Sequence, residues 1–190
     1  MNYIYDKNNL IDVIDSFPEQ IMEAYEYSLN IKISNFPESI FICGMGGSGI
    51  AGKILEQYTA SAGLKIPVYC VNDYEIPSFC KSNSLFIICS YSGNTEESIS
   101  CYKQAIKLSD NMQRIIVVAS DGKLKEYAEN NKNSLIVLPK GLQPRNAIAY
   151  LFFPILKVLE KNNLIERQER YVRELIEYLK KNNKKIAFRV

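Results

Sequence analysis

A chain of 190 residues with 47% hydrophobic side chains can bury one good core, so one domain with helical appendages is the starting expectation. Its 23 basic and 21 acidic residues leave a net charge of +2, and no basic stripe with interleaved aromatics runs through it, which argues against a dedicated nucleic-acid binder. The longest apolar stretch, 147–159, is interrupted by Pro154 and Lys157 and is too short to span a bilayer; with no signal segment in view, a soluble cytoplasmic protein is expected, without a membrane partner.

In chain order, Leu10, Ile11, Val13 and Ile14 form one helical apolar cluster. Ile21, Met22, Ala24, Tyr25 and Leu29 form another, with Ser16 and Pro18 marking a break and a new helix start. From residue 39 onward, short β-rich runs alternate with longer helical ones. The runs 39–43, 67–71, 84–89, 114–119 and 135–138 are mostly continuously apolar, as strands of a parallel sheet covered on both faces read. Helix-length segments at 50–62, 96–108 and 124–130 suit right-handed crossovers between them.

The expected fold class is therefore α/β: a three-layer α/β/α sandwich around a five-stranded, mainly parallel sheet, with helical N-terminal and C-terminal extensions. After Gln143-Pro144-Arg145, the segments 147–161 and 164–181 read as helices, and Pro154 marks a candidate kink in the first. The corresponding division is a helical extension over 1–36, the α/β domain over 37–162, and a C-terminal helix with the start of a linker over 163–190. The basic lean of Lys180, Lys181, Lys184, Lys185 and Arg189 reads as a solvated helix end.

Cys43, Cys70, Cys80, Cys89 and Cys101 show no CxxC pair and no zinc-like spacing, so they read as reduced thiols and no metal site is expected. The chain contains no histidine. Proton transfer near neutral pH would thus need carboxylates, Lys or Tyr, or residues from outside the chain.

Two turns carry the chemistry. Gly44-Met45-Gly46-Gly47-Ser48-Gly49 follows one apolar run and opens a helix, and Ser90-Tyr91-Ser92-Gly93-Asn94-Thr95-Glu96-Glu97 does the same after another. Glycines at the first turn let backbone amides approach an anion where a helix dipole is positive. The G-x-G-x-x-G spacing with Asp73 downstream also fits a dinucleotide site. Ser48 and the hydroxyls of Ser90, Ser92 and Thr95 favour a sugar phosphate over that reading, because each hydroxyl donates one hydrogen bond to an oxyanion. Thr95 also reads as an N-cap, and Glu96 and Glu97 as first-turn residues rather than bases.

Together with Tyr74, Ile76-Pro77 and Gln143-Pro144-Arg145, these turns resemble the SIS (sugar isomerase) domain of the bifunctional phosphoglucose/phosphomannose isomerase family from about residue 36 to 150. Arabinose-phosphate isomerases and glucosamine-phosphate synthases carry different turn sequences. The resemblance implies that Gly47, Ser48, Ser90, Ser92 and Thr95 bind the phosphate of a hexose 6-phosphate. It further implies that Arg145 is catalytic, stabilising an enediolate beside the reacting carbons, and that no cofactor takes part.

The family pattern includes a second SIS domain that supplies the general base, a histidine and a lysine, so the resemblance implies an N-terminal, phosphate-binding half that is inactive or very weak alone. Its partner would be that second SIS domain or, in a homodimer, another copy. The competing expectation is a stand-alone SIS module that senses a sugar phosphate. Gly49, Ala51, Lys53 and Asn72 depart from the family pattern, with Lys53 expected to face solvent.

Overall fold

The computed structural model describes residues 10–27 and 30–187, with side chains through 182. The expectations for Leu29, Lys184, Lys185 and Arg189 fall outside the described backbone or side chains. Within the described residues, five strands form one sheet: β1 Ile40–Cys43, β2 Val68–Val71, β3 Leu85–Cys89, β4 Ile115–Ala119 and β5 Ser134–Val137. Their order is β2-β1-β3-β4-β5, and every pairing is parallel.

Burial explains why these runs become strands. β1, β3 and β4 are buried at every position, whereas the edge strands β2 and β5 are only partly covered. Side chains of the central strands alternate between two cores. Ile40, Ile42, Leu85, Ile87, Ile116 and Val118 face α2 (Phe17–Tyr25), α3 (Gly46–Ser61) and α6 (Ile148–Lys161) through residues such as Ile21, Leu55 and Leu151. Phe41, Phe86, Ile88, Ile115 and Val117 face α4 (Glu96–Leu108) and α5 (Gly122–Asn130) through Cys101, Tyr102, Leu124 and Ala128. Each fully buried aliphatic or aromatic side chain contributes about 1.5–3 kcal/mol, and the period-two alternation divides that gain between both faces. The three layers are thus two helical sheaths around an apolar sheet.

Helices at both ends complete the first sheath. α1 (Leu10–Asp15) precedes α2, and Pro18 lies at the start of α2 as the sequence indicates. The Ser16 hydroxyl does not cap α2 but donates to the Val13 carbonyl at 3.0 Å. α6 runs unbroken through Pro154.

The last helix, α7 (Glu169–Ala187), begins five residues later than 164, the expected start. Leu164 and Ile165 are buried in the turn before it, because Asn163 adopts φ 56° and the Leu164 amide reaches back to the Leu159 carbonyl at 2.9 Å. That left-handed residue closes α6 and forbids one continuous helix.

Chain direction in the sheet reverses once. From β1 the chain passes through α3 to β2 at one edge, then returns to β3 on the other side of β1 and proceeds outward to β4 and β5. The carboxyl ends of β1 and β3 therefore flank a topological switch point, the place where open α/β sheets hold ligands.

Candidate functional site

Both singled-out turns lie at that switch point, one leaving β1 and the other leaving β3. The first becomes helix sooner than its glycines suggest, since α3 starts at Gly46 rather than near residue 50. Met45 occupies the N-cap position and offers no side-chain cap, while its carbonyl takes the amides of Ser48 and Gly49 at 3.1 Å each. The amides of Gly46 and Gly47 precede any intrahelical acceptor and remain available to an anion.

Gly47 is glycine because of what lies over it. A Cβ there would stand 2.7 Å from the Pro144 carbonyl carbon and oxygen and 2.8 Å from the Arg145 amide nitrogen. The turn 144–146 therefore rests directly on the glycine turn, across nearly one hundred residues of sequence. Gly49 is similarly enclosed: a Cβ would come within 2.3 Å of the Asn72 side-chain nitrogen. The absent side chain at 49 thus makes space for the amide at 72. Lys53 is exposed, as expected.

In the second turn the hydroxyls divide their work. The buried Ser90 hydroxyl lies 2.9 Å from that of Thr95 and accepts the Gly93 amide at 3.1 Å. Thr95 stands at the N-cap of α4 with extended backbone, yet its side chain makes no capping bond. Thr95 thus holds the N-cap position expected of it, but its hydroxyl pairs with Ser90 instead of capping, which leaves the first-turn amides of α4 without a side-chain acceptor. Ser92 is exposed, and its oxygen accepts only the Asn94 amide, at 3.3 Å. Glu96 and Glu97 occupy the first turn of α4, where Glu96 accepts the Tyr74 hydroxyl at 3.2 Å.

Ser48 joins the two turns. Its buried hydroxyl oxygen accepts the Tyr91 amide at 3.1 Å, so the glycine turn and the serine turn form one hydrogen-bonded unit.

A third turn, 120–123, belongs to the same edge and was missed by sequence reasoning. Ser120 donates to the Tyr91 carbonyl through its hydroxyl at 2.6 Å, and the Leu124 amide reaches the Gly93 carbonyl at 3.0 Å. Gly93 has φ +69°, and a Cβ on it would sit 1.7 Å from the Asp121 carbonyl oxygen. The signal was present: Ser120-Asp121-Gly122 follows an apolar run and opens α5, as the other two turns open their helices. Asp121, the N-cap of α5, makes no side-chain cap either. Its carboxylate instead pairs with Lys140 at 2.5 Å, which holds its pKa below the ordinary value.

Arg145 is exposed and, among the described residues, forms no hydrogen bond or ion pair. Its backbone lies against Gly47, while its side chain lines a 260 Å³ cavity with Val13, Ile14, Phe17 and Pro18. The N-terminal helices thus wall the side of the site that carries the guanidinium, a neighbourhood no local pattern indicated.

Nothing near the turns resembles a metal centre: among the described residues no three of His, Cys, Asp and Glu cluster to hold an ion. No helix of those residues is long and apolar enough to cross a membrane. Asp73, the residue a dinucleotide ribose would need, uses its carboxylate to accept the Tyr74 amide at 2.6 Å. All five cysteines are free, and burial pushes the Cys89 thiol up to about 12.

A five-stranded parallel sheet with helices on both faces, and with the α3 and α4 N-termini flanking the switch point beside a shared set of hydroxyls, is an α/β fold of the SIS type. A solved structure from Clostridium novyi, described as a candidate tagatose-6-phosphate ketose/aldose isomerase, has this fold at a TM-score of 0.68, with 22% identity over 92% of this chain and 49% of that one. No protein-family profile matches the chain.

By sequence the chain belongs to the bifunctional phosphoglucose/phosphomannose isomerase family. It is 39% identical to the enzyme of that name from Caldicellulosiruptor bescii over 90% of its own length and 50% of the relative's. Three proteins of the same name, from Thermoplasma volcanium, Thermoplasma acidophilum and Aquifex aeolicus, are 34–41% identical. A D-glucosamine-6-phosphate 4-epimerase from Sulfolobus acidocaldarius is 33% identical over 76% of this chain and 45% of its own. The chain spans about half the length of the curated relatives it matches.

Proposed function

We propose that this chain grips the phosphate of a hexose 6-phosphate between the glycine and serine turns, as one part of an aldose-ketose isomerase. The supporting observation is the pair of uncapped helix N-termini, α3 and α4, that flank the β1/β3 switch point with Ser48, Ser90, Ser92 and Thr95 between them. Amides of Gly46 and Gly47, the α4 first turn and the free hydroxyl protons supply donors, and both helix dipoles favour the anion. In this reading Arg145 lies toward the sugar carbons and stabilises the enediolate formed as a proton moves between C1 and C2 of glucose 6-phosphate or mannose 6-phosphate on the way to fructose 6-phosphate.

The proton itself needs a base, and the chain offers no histidine, while the Glu96 carboxylate at the first turn of α4 accepts the Tyr74 hydroxyl. A second SIS unit supplies that base in this reading, so the chain alone binds substrate and turns it over poorly. Ile50 and Ile54 on α3 and Tyr171, Leu175 and Tyr178 on α7 remain exposed, which supports association with such a unit or with a second copy. Five reduced thiols support a cytoplasmic setting. The relatives named above as isomerases and as an epimerase share a phosphorylated hexose in their names but not a reaction, which supports the phosphate grip as the part common to both.

Calorimetric titration tests the grip. Glucose 6-phosphate, mannose 6-phosphate and fructose 6-phosphate bind the wild-type chain, and Ser92→Ala combined with Thr95→Ala weakens all three by about 1.5–3 kcal/mol per lost hydrogen bond to the charged group. Unchanged binding in that double variant removes the assignment. A regulatory phosphosugar sensor, the second reading, predicts the same binding without any isomerase activity when a base-bearing SIS unit is supplied.

A further inference from the structure

We infer that Tyr91 is a positioning residue for Arg145, coupling the phosphate cradle to the group that meets the sugar head; the inference rests on the hexose-phosphate reading above. Tyr91 belongs to the serine turn by its backbone alone. Its amide donates to Ser48 at 3.1 Å, and its carbonyl accepts the Ser120 hydroxyl at 2.6 Å. Its side chain leaves the cradle entirely, buries its ring in the core beneath α6, and ends in the loop that follows β5.

There the phenol oxygen makes two bonds. It donates to the Pro139 carbonyl at 2.7 Å and accepts the Leu142 amide at 2.8 Å, so one atom closes both ends of the 139–142 segment. Gly141 within that segment adopts φ +96°, and the ion pair that Lys140 makes with Asp121 is exposed. Such a surface pair holds a loop weakly. The next residues are Gln143, Pro144 and Arg145, whose turn lies on Gly47 and is closed by the Asn146 amide on the Gln143 carbonyl at 2.8 Å. Arg145 is thus seated on one side by the glycine turn and tethered on the other by Tyr91, while among the described residues its own side chain makes no bond that would fix it.

The chemistry of this arrangement is alignment. A guanidinium with no partner of its own contributes to catalysis or binding only if its backbone is held where charge develops, because misplacement of a reacting group costs rate steeply. Tyr91 ties that backbone to the same turn that takes the phosphate, so the distance between the phosphate turn and the Arg145 backbone becomes a property of the fold, from which the guanidinium reaches. Phenylalanine at 91 keeps the ring and its packing and removes only the two bonds to the loop.

The test compares Tyr91→Phe, Arg145→Gln and the double variant, with calorimetric binding of inorganic phosphate, glucose 6-phosphate and a sugar-acid 6-phosphate whose C1 carboxylate stands for enediolate charge. Tyr91→Phe weakens the sugar-acid phosphate by roughly tenfold, the scale of one or two net hydrogen bonds, and leaves inorganic phosphate within about twofold. In the Arg145→Gln background the same substitution has no further effect on the sugar-acid phosphate. Equal loss for all three probes, or a full additional loss in the double variant, overturns the positioning role. A wild-type chain that binds inorganic phosphate but neither sugar phosphate takes down the hexose-phosphate reading and the inference with it, an outcome distinct from failure in Tyr91→Phe alone.

Discussion

The Tyr91 amide donates to the Ser48 hydroxyl across 3.1 Å, joining two turns that lie 43 residues apart in the chain. Both residues are buried. Ser48→Ala leaves that amide unpaired where water does not reach, which costs about 1–3 kcal/mol of folding stability. In urea the transition midpoint falls while the denaturant dependence stays constant, since the same surface is exposed on unfolding. A midpoint equal to wild type would show that the two turns are held by other bonds.

Gly93 and Gly63 offer a matched comparison. Both have positive φ, +69° and +80°, but a Cβ on Gly93 meets the Asp121 carbonyl oxygen at 1.7 Å, whereas one on Gly63 meets nothing within 4 Å. Gly63→Ala carries only the left-handed backbone penalty, about 1–2 kcal/mol. Gly93→Ala adds a clash with backbone that cannot rotate away, worth about 1–3 kcal/mol more, and pushes the serine turn from the 120–123 turn. Thermal unfolding ranks the two, and equal losses would mean that the third turn is no support for the second.

Acid should loosen the C-terminal helix through Glu160. This carboxylate accepts the Gln168 amide at 3.1 Å and the Tyr25 hydroxyl, and pairs with Lys157 at 2.9 Å. Burial raises its pKa, but the Tyr25, Lys157 and Gln168 donors together outweigh burial and hold it below the ordinary 4.5. With the folded value depressed, its contribution is complete above the unfolded value and disappears as pH falls through the folded one. Glu160→Gln is accordingly less stable than wild type near neutral pH, and the two converge as pH falls through the depressed folded value of Glu160. Parallel pH profiles for the two proteins would contradict this account.

Thiol chemistry should follow burial. Cys43, Cys89 and Cys101 are buried, and Cys70 and Cys80 are partly exposed. Only the thiolate reacts, and burial raises the pKa of Cys89 to about 12 and, less far, those of Cys70 and Cys80. Brief iodoacetamide treatment of the native protein at neutral pH therefore modifies Cys70 and Cys80 slowly and leaves Cys43 and Cys89 untouched, as peptide mass mapping would record. Early loss of Cys89 would require an opening of β3 that its burial does not allow.

The strands were legible because β1, β3 and β4 are buried on both faces, and a continuous apolar run has few other uses. Helix ends were less so. Gly46 and Gly47 look like loop residues yet begin α3, since the packing of residues 144–145 onto Gly47 requires glycine there. Leu164 and Ile165 look helical yet fill the core from a turn. At the site, hydroxyl and glycine content marked the two turns that the fold brings together, but the division of labour among their side chains did not appear in the sequence. Whether Thr95 caps its helix or pairs with Ser90 depends on a choice between two acceptable partners, and the placement of Val13, Ile14 and Phe17 beside Arg145 is a tertiary accident of how α1 and α2 return to the fold.

Contacts that join the turns of the site span long stretches of sequence, with a kinetic consequence: Ser48 needs Tyr91, Gly93 needs the 120–123 turn, and Tyr91 needs Leu142. As the polypeptide leaves the ribosome, the first turn is made early but stays incomplete until residue 142 has emerged. Closing loops of this length before their contacts reward them is the slow part of folding. The cradle is therefore completed late and as a unit, so amide exchange at the turns should track global unfolding rather than local fraying.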